Sequence, residues 1–196
     1  LTLCKNGIVN TDDKYAKEVI AAATCEKIYT FGIDKPADFR ATDIVLTKRG
    51  ATFRVGAEEY SIKMAGRFNI YNALAAIVSA TLSGVDADAI KRGLAKTEID
   101  GRMEIIGRDG KTVIVDYAHN ALSFSAVFDY VDKFYPESKK ICLFGCQGNK
   151  AYDRRAELPE IAGKKADFVI LTSDDPARED PEEILSEVEN NLKKTN

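Results

Sequence analysis

Three short clusters in this chain combine residue types that can hold charged small molecules. The first is Asp116 with His119, the only histidine. It sits where the β-branched run Val113-Ile114-Val115 gives way to an amphipathic pattern of Leu122, Phe124, Val127, Phe128, Val131 and Phe134. That pattern reads as a buried strand running into a helix, and open α/β sheets bind ligands at the carboxyl ends of their strands. A carboxylate there can accept both hydroxyls of a ribose, and an imidazole can reach a phosphate or stack on a base. An N-cap aspartate beside a satisfied histidine is the plainer alternative. The second cluster is Gly145-Cys146-Gln147-Gly148-Asn149-Lys150, after an apolar run. Glycines there permit tight turns and close backbone approach to a ligand. Lys150 suits a carboxylate or a phosphate, or is a solvated surface lysine. No Gly-x-x-x-x-Gly-Lys-Ser/Thr loop is present. The third is Ser173-Asp174-Asp175-Pro176, whose acids suit a cation or an amine, or simply form a turn before proline. Asn69 and Asn72 fall at a helix start, where an amide can pair with an adenine edge, although helix capping is the reading the residues alone favour. Arg102 says little by itself.

The elements that must position these residues follow from periodicity and punctuation. A strand ends at Gly7–Asn10, and Asp12 or Asp13 can cap a helix from about Lys14 to Thr24. The next strand is Lys27–Gly32. Alternating segments at Thr42–Thr47, Ala51–Val55 and Tyr60–Met64 predict a half-solvated antiparallel unit. Gly66 opens a helix carrying Ile70, Leu74, Ile77 and Val78, which Gly84 ends; Asp86 caps another with Ile90 and Leu94 inside. The stretch from Lys96 to Gly101 has no periodicity and reads as a linker. Beyond it, Met103–Ile106 and Thr112–Val115 form a hairpin around Asp109-Gly110. Strands at Ile141–Phe144 and Phe168–Thr172 then alternate with helices near Ala121–Phe134, Arg155–Lys165 and Pro181–Leu192. The last helix has Asp180 as N-cap, Pro181 in its first position and Glu183 completing a capping box. Repeated β-α units imply a mainly parallel sheet with helices on both faces. The fold class is therefore α/β. The domains expected are 1–100, containing a small antiparallel sheet, and 101–196, Rossmann-like.

The chain has 196 residues, 45% apolar and 30% charged, with a net charge of −3. These values belong to an ordinary soluble protein and give no reason to expect nucleic acid or membrane as a partner. No apolar run approaches the roughly 18–20 residues of a membrane span. Leu1-Thr2-Leu3-Cys4 lacks the basic start of a signal peptide. Cys4, Cys25, Cys142 and Cys146 provide only one close pair, which argues against zinc. They are expected to be buried free thiols in a cytoplasmic protein. The start at Leu1, in what reads as mid-structure, suggests a piece of something longer. A monomer is expected.

Taken together, the motifs resemble the Mur ligase superfamily, in particular the branch that adds the third residue of the peptidoglycan peptide. Gly66-Arg67-Phe68-Asn69-Ile70-Tyr71-Asn72-Ala73-Leu74-Ala75-Ala76 looks like that branch's Gly-Arg-Phe-Asn-x-x-Asn-x-x-Ala-Ala. Gly101-Arg102-Met103-Glu104 and Asp116-Tyr117-Ala118-His119 match its next two motifs. Phe144-Gly145-Cys146-Gln147-Gly148-Asn149-Lys150 resembles Phe-Gly-Cys-Gly-Gly-Asp-Arg, and Asp174-Asp175-Pro176-Ala177 stands where the branch has Asp-Asn-Pro-Arg or a variant. The resemblance implies the end of a central ATPase domain followed by an incomplete C-terminal amino-acid-binding domain. It implies an ATP-dependent amide ligase that extends UDP-MurNAc-dipeptide with a diamino acid and uses Mg²⁺, whose ligands lie outside this chain. By the same resemblance Asn72 holds adenine with Asn69 in support, Arg102 and Asp116 hold base and ribose, and His119 lies near the nucleotide. Lys150 stands at the position of an arginine that binds the amino-acid carboxylate, and Asp174 and Asp175 face the incoming amino acid. No catalytic residue and no metal ligand is assigned. The family's phosphate-binding loop would precede Leu1, so this polypeptide alone is expected to be inactive.

Two departures bear on specificity. Ala177 replaces the arginine that grips the distal carboxylate of meso-diaminopimelate, and Asp175 replaces asparagine. Losing a guanidinium and gaining an acid favours a distal amine, hence L-lysine or ornithine. The competing readings are another Mur-type amide ligase, such as a cyanophycin or poly-glutamate synthetase, and a non-catalytic nucleotide-binding module.

Overall fold

The computed structural model describes residues 4–195. The leader reading of Leu1, Thr2 and Leu3 therefore lies outside the described residues. The chain divides into two units, Leu1–Asp116 and Tyr117–Asn196.

The first unit is built on five strands in the order β1-β2-β3-β4-β5. They are β1 (Asn6–Asn10), β2 (Lys27–Gly32), β3 (Phe39–Thr47), β4 (Gly50–Val55) and β5 (Glu58–Ile62). Helix α1 (Ala16–Ala22) crosses between β1 and β2, which pair in parallel. The antiparallel strands are not a separate sheet. β3 pairs in parallel with β2 through Phe39 and Arg40, and antiparallel with β4. An irregularity between Thr42 and Val45 interrupts the second ladder, with Asp43 at φ 51°.

Helix α2 (Phe68–Leu82) places Ile70, Leu74, Ile77 and Val78 in the core at 0–1% exposure. Their helical spacing forms one stripe, and burial stabilises each by roughly 1.5–3 kcal/mol. They pack with Phe31, Phe53 and Ile62 of the sheet. Helix α3 (Ala87–Lys96) begins as predicted, with the Asp86 carboxylate accepting from Ala89 N–H at 2.9 Å. Strands β6 (Glu104–Arg108) and β7 (Lys111–Val115) form the expected hairpin, and Asp109 and Gly110 turn at φ 51° and 73°. The expectation that Val113–Val115 is buried is corrected. Among the described residues β7 pairs only with β6, and Val113 and Val115 are 55% and 40% exposed.

The second unit contains α4 (Ala121–Phe134), β8 (Ile141–Phe144), α5 (Arg154–Lys165), β9 (Phe168–Leu171) and α6 (Pro181–Leu192). β8 and β9 are parallel, in register from Ile141↔Phe168 to Phe144↔Leu171. Cys142, Phe144, Val169 and Leu171 face a core made by Phe124 and Phe128 of α4, Leu158 and Ala162 of α5, and Ile184 and Val188 of α6. The alternate residues Ile141, Leu143, Phe168 and Ile170 are exposed, so among the described residues helices cover one face of this pair. The α/β class is as the sequence predicts.

Candidate functional site

In the first unit the start of α2 is held by an asparagine relay. Asn69 is 4% exposed. Its Nδ2 donates to the Ala65 carbonyl at 2.6 Å, and its Oδ1 accepts from Asn72 Nδ2 at 2.9 Å. Asn69 is therefore a buried strut and not a helix cap. Asn72 is exposed, with Oδ1 and a second N–H still available. One acceptor beside one donor is what an adenine edge pairs with.

A carboxylate that sequence reading took for a helix cap organises the neighbouring loop. Helix α1 has no side-chain cap. Instead Asp12, past the end of β1, accepts from Ile33 N–H (2.6 Å), Asp34 N–H (3.0 Å), Lys35 N–H (2.8 Å) and the Tyr71 hydroxyl (2.9 Å). Burial disfavours its charge, but the three amides and the phenol outweigh that and hold the carboxyl down at about 2. Burial and the same bond push the Tyr71 hydroxyl up to about 12. Arg67 pairs with Asp34 at 2.7 Å, so the loop is tied to α2 twice. The Asp12-Asp13 pair after an apolar run was the available signal, the same kind that singled out Asp174-Asp175.

Asp116 is not an N-cap either. One of its oxygens accepts from Met103 N–H at 2.8 Å, and Met103 has φ 48°. Glu104 accepts from Gly101 N–H at 3.0 Å. The Gly101-Arg102-Met103-Glu104 turn is thus pinned by two carboxylates, with Arg102 on its exposed side. Helix α4 is capped by Asn120, whose side chain and that of Ser123 form a reciprocal capping box.

In the second unit the clusters after β8 and β9 form one piece. A Cβ on Gly145 would stand 2.4 Å from the Thr172 carbonyl, and one on Gly148 would stand 1.9 Å from the Pro176 carbonyl. These glycines serve the contact of one loop with the other, which corrects their reading as a ligand approach. Gly148 N–H donates to the Asp175 carbonyl (2.9 Å), Arg178 N–H donates to Asn149 Oδ1 (2.9 Å), and Asn149 N–H donates to Glu179. Beneath them lies Arg155, 3% exposed. Its Nη2 donates to both Glu179 oxygens (2.9 Å) and to the Gln147 carbonyl (3.2 Å), and its Nη1 to Glu187 of α6 (2.9 Å). Its Nε is buried without a partner among the described residues. Its carboxylate partners lie 24 and 32 residues away, so no local pattern marks it. Asp180 caps α6 through Glu182 N–H at 2.9 Å, in place of a box with Glu183.

A narrow recess opens between the loops and the approach to α4, lined by His119, Gly145, Cys146, Gln147, Arg154, Leu158 and Asp174. His119 Nδ1 lies 2.8 Å from the Tyr117 carbonyl and so carries its proton there in the neutral ring. Nε2 is then an acceptor. Lys150 and Asp175 are exposed and do not line the recess. Cys146 is buried, and burial pushes its thiol up to about 11. Burial does the same for Cys142, also to about 11. Cys4 is exposed and Cys25 and Cys142 are half-buried, so the expectation of buried thiols holds fully for Cys146 alone. Among the described residues no group of three His, Cys, Asp or Glu is placed to hold a metal ion, and no helix is long and apolar enough to cross a membrane.

Residues 2–80 match the Mur ligase middle domain, and residues 101–196 match the Mur ligase glutamate ligase domain. A UDP-N-acetylmuramoyl-L-alanyl-D-glutamate--2,6-diaminopimelate ligase of Caldanaerobacter subterraneus subsp. tengcongensis is 37% identical over 198 residues, 98% of this chain and 40% of that protein. A UDP-N-acetylmuramyl-tripeptide synthetase of Latilactobacillus sakei is 35% identical, over 92% of this chain and 40% of that one. A solved diaminopimelate ligase of the first name superposes with a TM-score of 0.55 at 30% identity, covering 94% of this chain and 40% of its own. A pseudomurein peptide ligase type C from Methanothermus fervidus gives 0.72 at 20% identity over 96% of this chain and 44% of its own, a likeness of fold. The chain thus spans about 40% of the length of the curated relatives it matches. It belongs to the Mur ligase family, with residues of both the middle domain and the glutamate ligase domain.

Proposed function

We propose that the protein carrying this chain is an ATP-dependent amide ligase that adds a diamino acid to UDP-MurNAc-L-Ala-D-Glu. ATP's γ-phosphoryl group passes to the dipeptide's terminal carboxylate, breaking its bond to ADP. The amine of the incoming amino acid attacks the carbonyl carbon of the acyl phosphate. The C–O bond to phosphate breaks, the nitrogen loses a proton, and an amide and phosphate result. Phosphoryl transfer of this kind needs positioning and fixed charge more than covalent help. Mg²⁺ supplies charge neutralisation at the phosphates in this family. The described residues do not form a group for it.

Asn72 is the adenine contact in this reading, with Asn69 as its strut. Arg102 and Asp116 serve base and ribose, His119 lies near the nucleotide, and Asp174 and Asp175 serve the amino acid, while Lys150 stays exposed outside the recess. Domains 1–100 and 101–196 are the functional division, since the glutamate ligase match begins at Gly101. The proposed location is the cytoplasm, and the proposed state a monomer. The observation that carries the reading is the two-loop unit at the ends of parallel strands β8 and β9, with Asp174 and His119 on one recess.

Several relatives are named for 2,6-diaminopimelate. Asp175 and Ala177 nevertheless favour a distal amine over a distal carboxylate, so L-lysine or ornithine is the proposed substrate. The complete protein, supplied with ATP, Mg²⁺ and the UDP-dipeptide, is expected to consume L-lysine in preference to meso-diaminopimelate. A product containing only diaminopimelate overturns the choice of amino acid, and no amide product with any diamino acid overturns the ligase reading. The polypeptide of this sequence alone is expected to turn over no ATP.

A further inference from the structure

We infer that Arg154, the first residue of α5, holds the carboxylate of the incoming amino acid in place of Lys150. The inference rests on the ligase reading. Arg154 and Asp174 both line the recess, and both charges act on the buried Cys146 thiol there. Neither side chain makes a hydrogen bond or an ion pair among the described residues. The neighbouring Arg155 has both terminal nitrogens occupied by Glu179, Glu187 and Gln147. One arginine of the pair is therefore structural, and the other is half-buried and uncommitted. Lys150 is exposed and outside the lining.

An uncommitted cation and an uncommitted carboxylate on one recess fit a zwitterion. A nucleotide phosphate would satisfy Arg154 but meet Asp174 as a like charge, which disfavours it. An amino acid satisfies both, its carboxylate on the guanidinium and an ammonium group on Asp174. A guanidinium offers that carboxylate two parallel N–H donors, which a lysine cannot.

The test compares R154Q, R154K and K150Q in the complete enzyme, with L-lysine and L-lysinamide as probes and meso-diaminopimelate in parallel. The amide lacks the carboxylate charge, so wild type should prefer lysine to lysinamide. R154Q should raise the KM for lysine by ~10- to 100-fold, leave the KM for ATP unchanged, and abolish the preference for lysine over its amide. R154K should keep part of that preference, which guards against a merely misfolded R154Q. K150Q should keep it in full. An R154Q enzyme that still discriminates lysine from lysinamide overturns the inference, as does loss of discrimination in K150Q alone. A wild type that ligates no amino acid overturns the ligase reading and this inference with it.

Discussion

Replacing Asp12 by asparagine preserves size and removes a charge that three backbone amides and a phenol converge on. Oδ2 serves Ile33, Asp34 and Tyr71, and Oδ1 serves Lys35. An asparagine must turn its NH₂ towards one of these donor sets and leave it unpaired. The carboxyl is held at about 2 against an ordinary 3.8, worth ~2 kcal/mol at ~1.36 kcal/mol per unit. Partial exposure reduces this to ~1–2 kcal/mol. Because the folded value is depressed, the stabilisation is full above the unfolded value and is lost as pH falls through the folded one. Hydrogen exchange at Ile33, Asp34 and Lys35 reads the effect locally. At pH 6 these amides should exchange ~5- to 30-fold faster in D12N than in wild type. The gap should shrink by about half in free-energy terms at pH 3, where the unfolded carboxyl is already mostly protonated. Equal exchange at pH 6, or a gap that does not narrow towards pH 3, refutes the reasoning.

Asn69→Ala should weaken adenine-nucleotide binding to the complete enzyme by ~10-fold or more while leaving the KM for the amino acid unchanged; calorimetry with ADP checks this. Arg155→Met should cost about 3 kcal/mol, the lower end for breaking a buried ion pair, because Glu187 is half-exposed and regains water. Thermal unfolding read in the second unit should show it. Gly148→Ala must force the two loops apart, since its Cβ would stand 1.9 Å from the Pro176 carbonyl; faster exchange of the backbone N–H at position 148 is the expected sign. Alkylation at pH 8 should label exposed Cys4 before half-buried Cys142 and buried Cys146, whose thiols are pushed up to about 11; peptide mapping checks the order.

Local signals were read well where one segment decided its own structure. Asp86 and Asp180 cap their helices, Asp109-Gly110 turns its hairpin, and the stripe of Ile70, Leu74, Ile77 and Val78 is the core. Residues whose partners lie far along the chain were misread. Asp12 looked like a cap because its real partners, Ile33 to Lys35 and Tyr71, are invisible from positions 10–16. Gly145 and Gly148 looked like a ligand cradle because nothing nearby reveals that residues 172–176 press against them. The run Val113–Val115 has the composition of a buried strand, but β6 is its only strand partner among the described residues, and burial depends on partners as much as on composition.

The joined loops also set a rule for anyone who would re-engineer this protein. Residues 173–180 cannot be grafted from a relative as an independent cassette. Their contacts reach back to Gly148, Asn149 and Arg155, so a donor segment with a larger residue facing Gly148, or without a carboxylate at 179, would arrive without its seat. Transplanting a new specificity means moving 145–155 and 173–180 together.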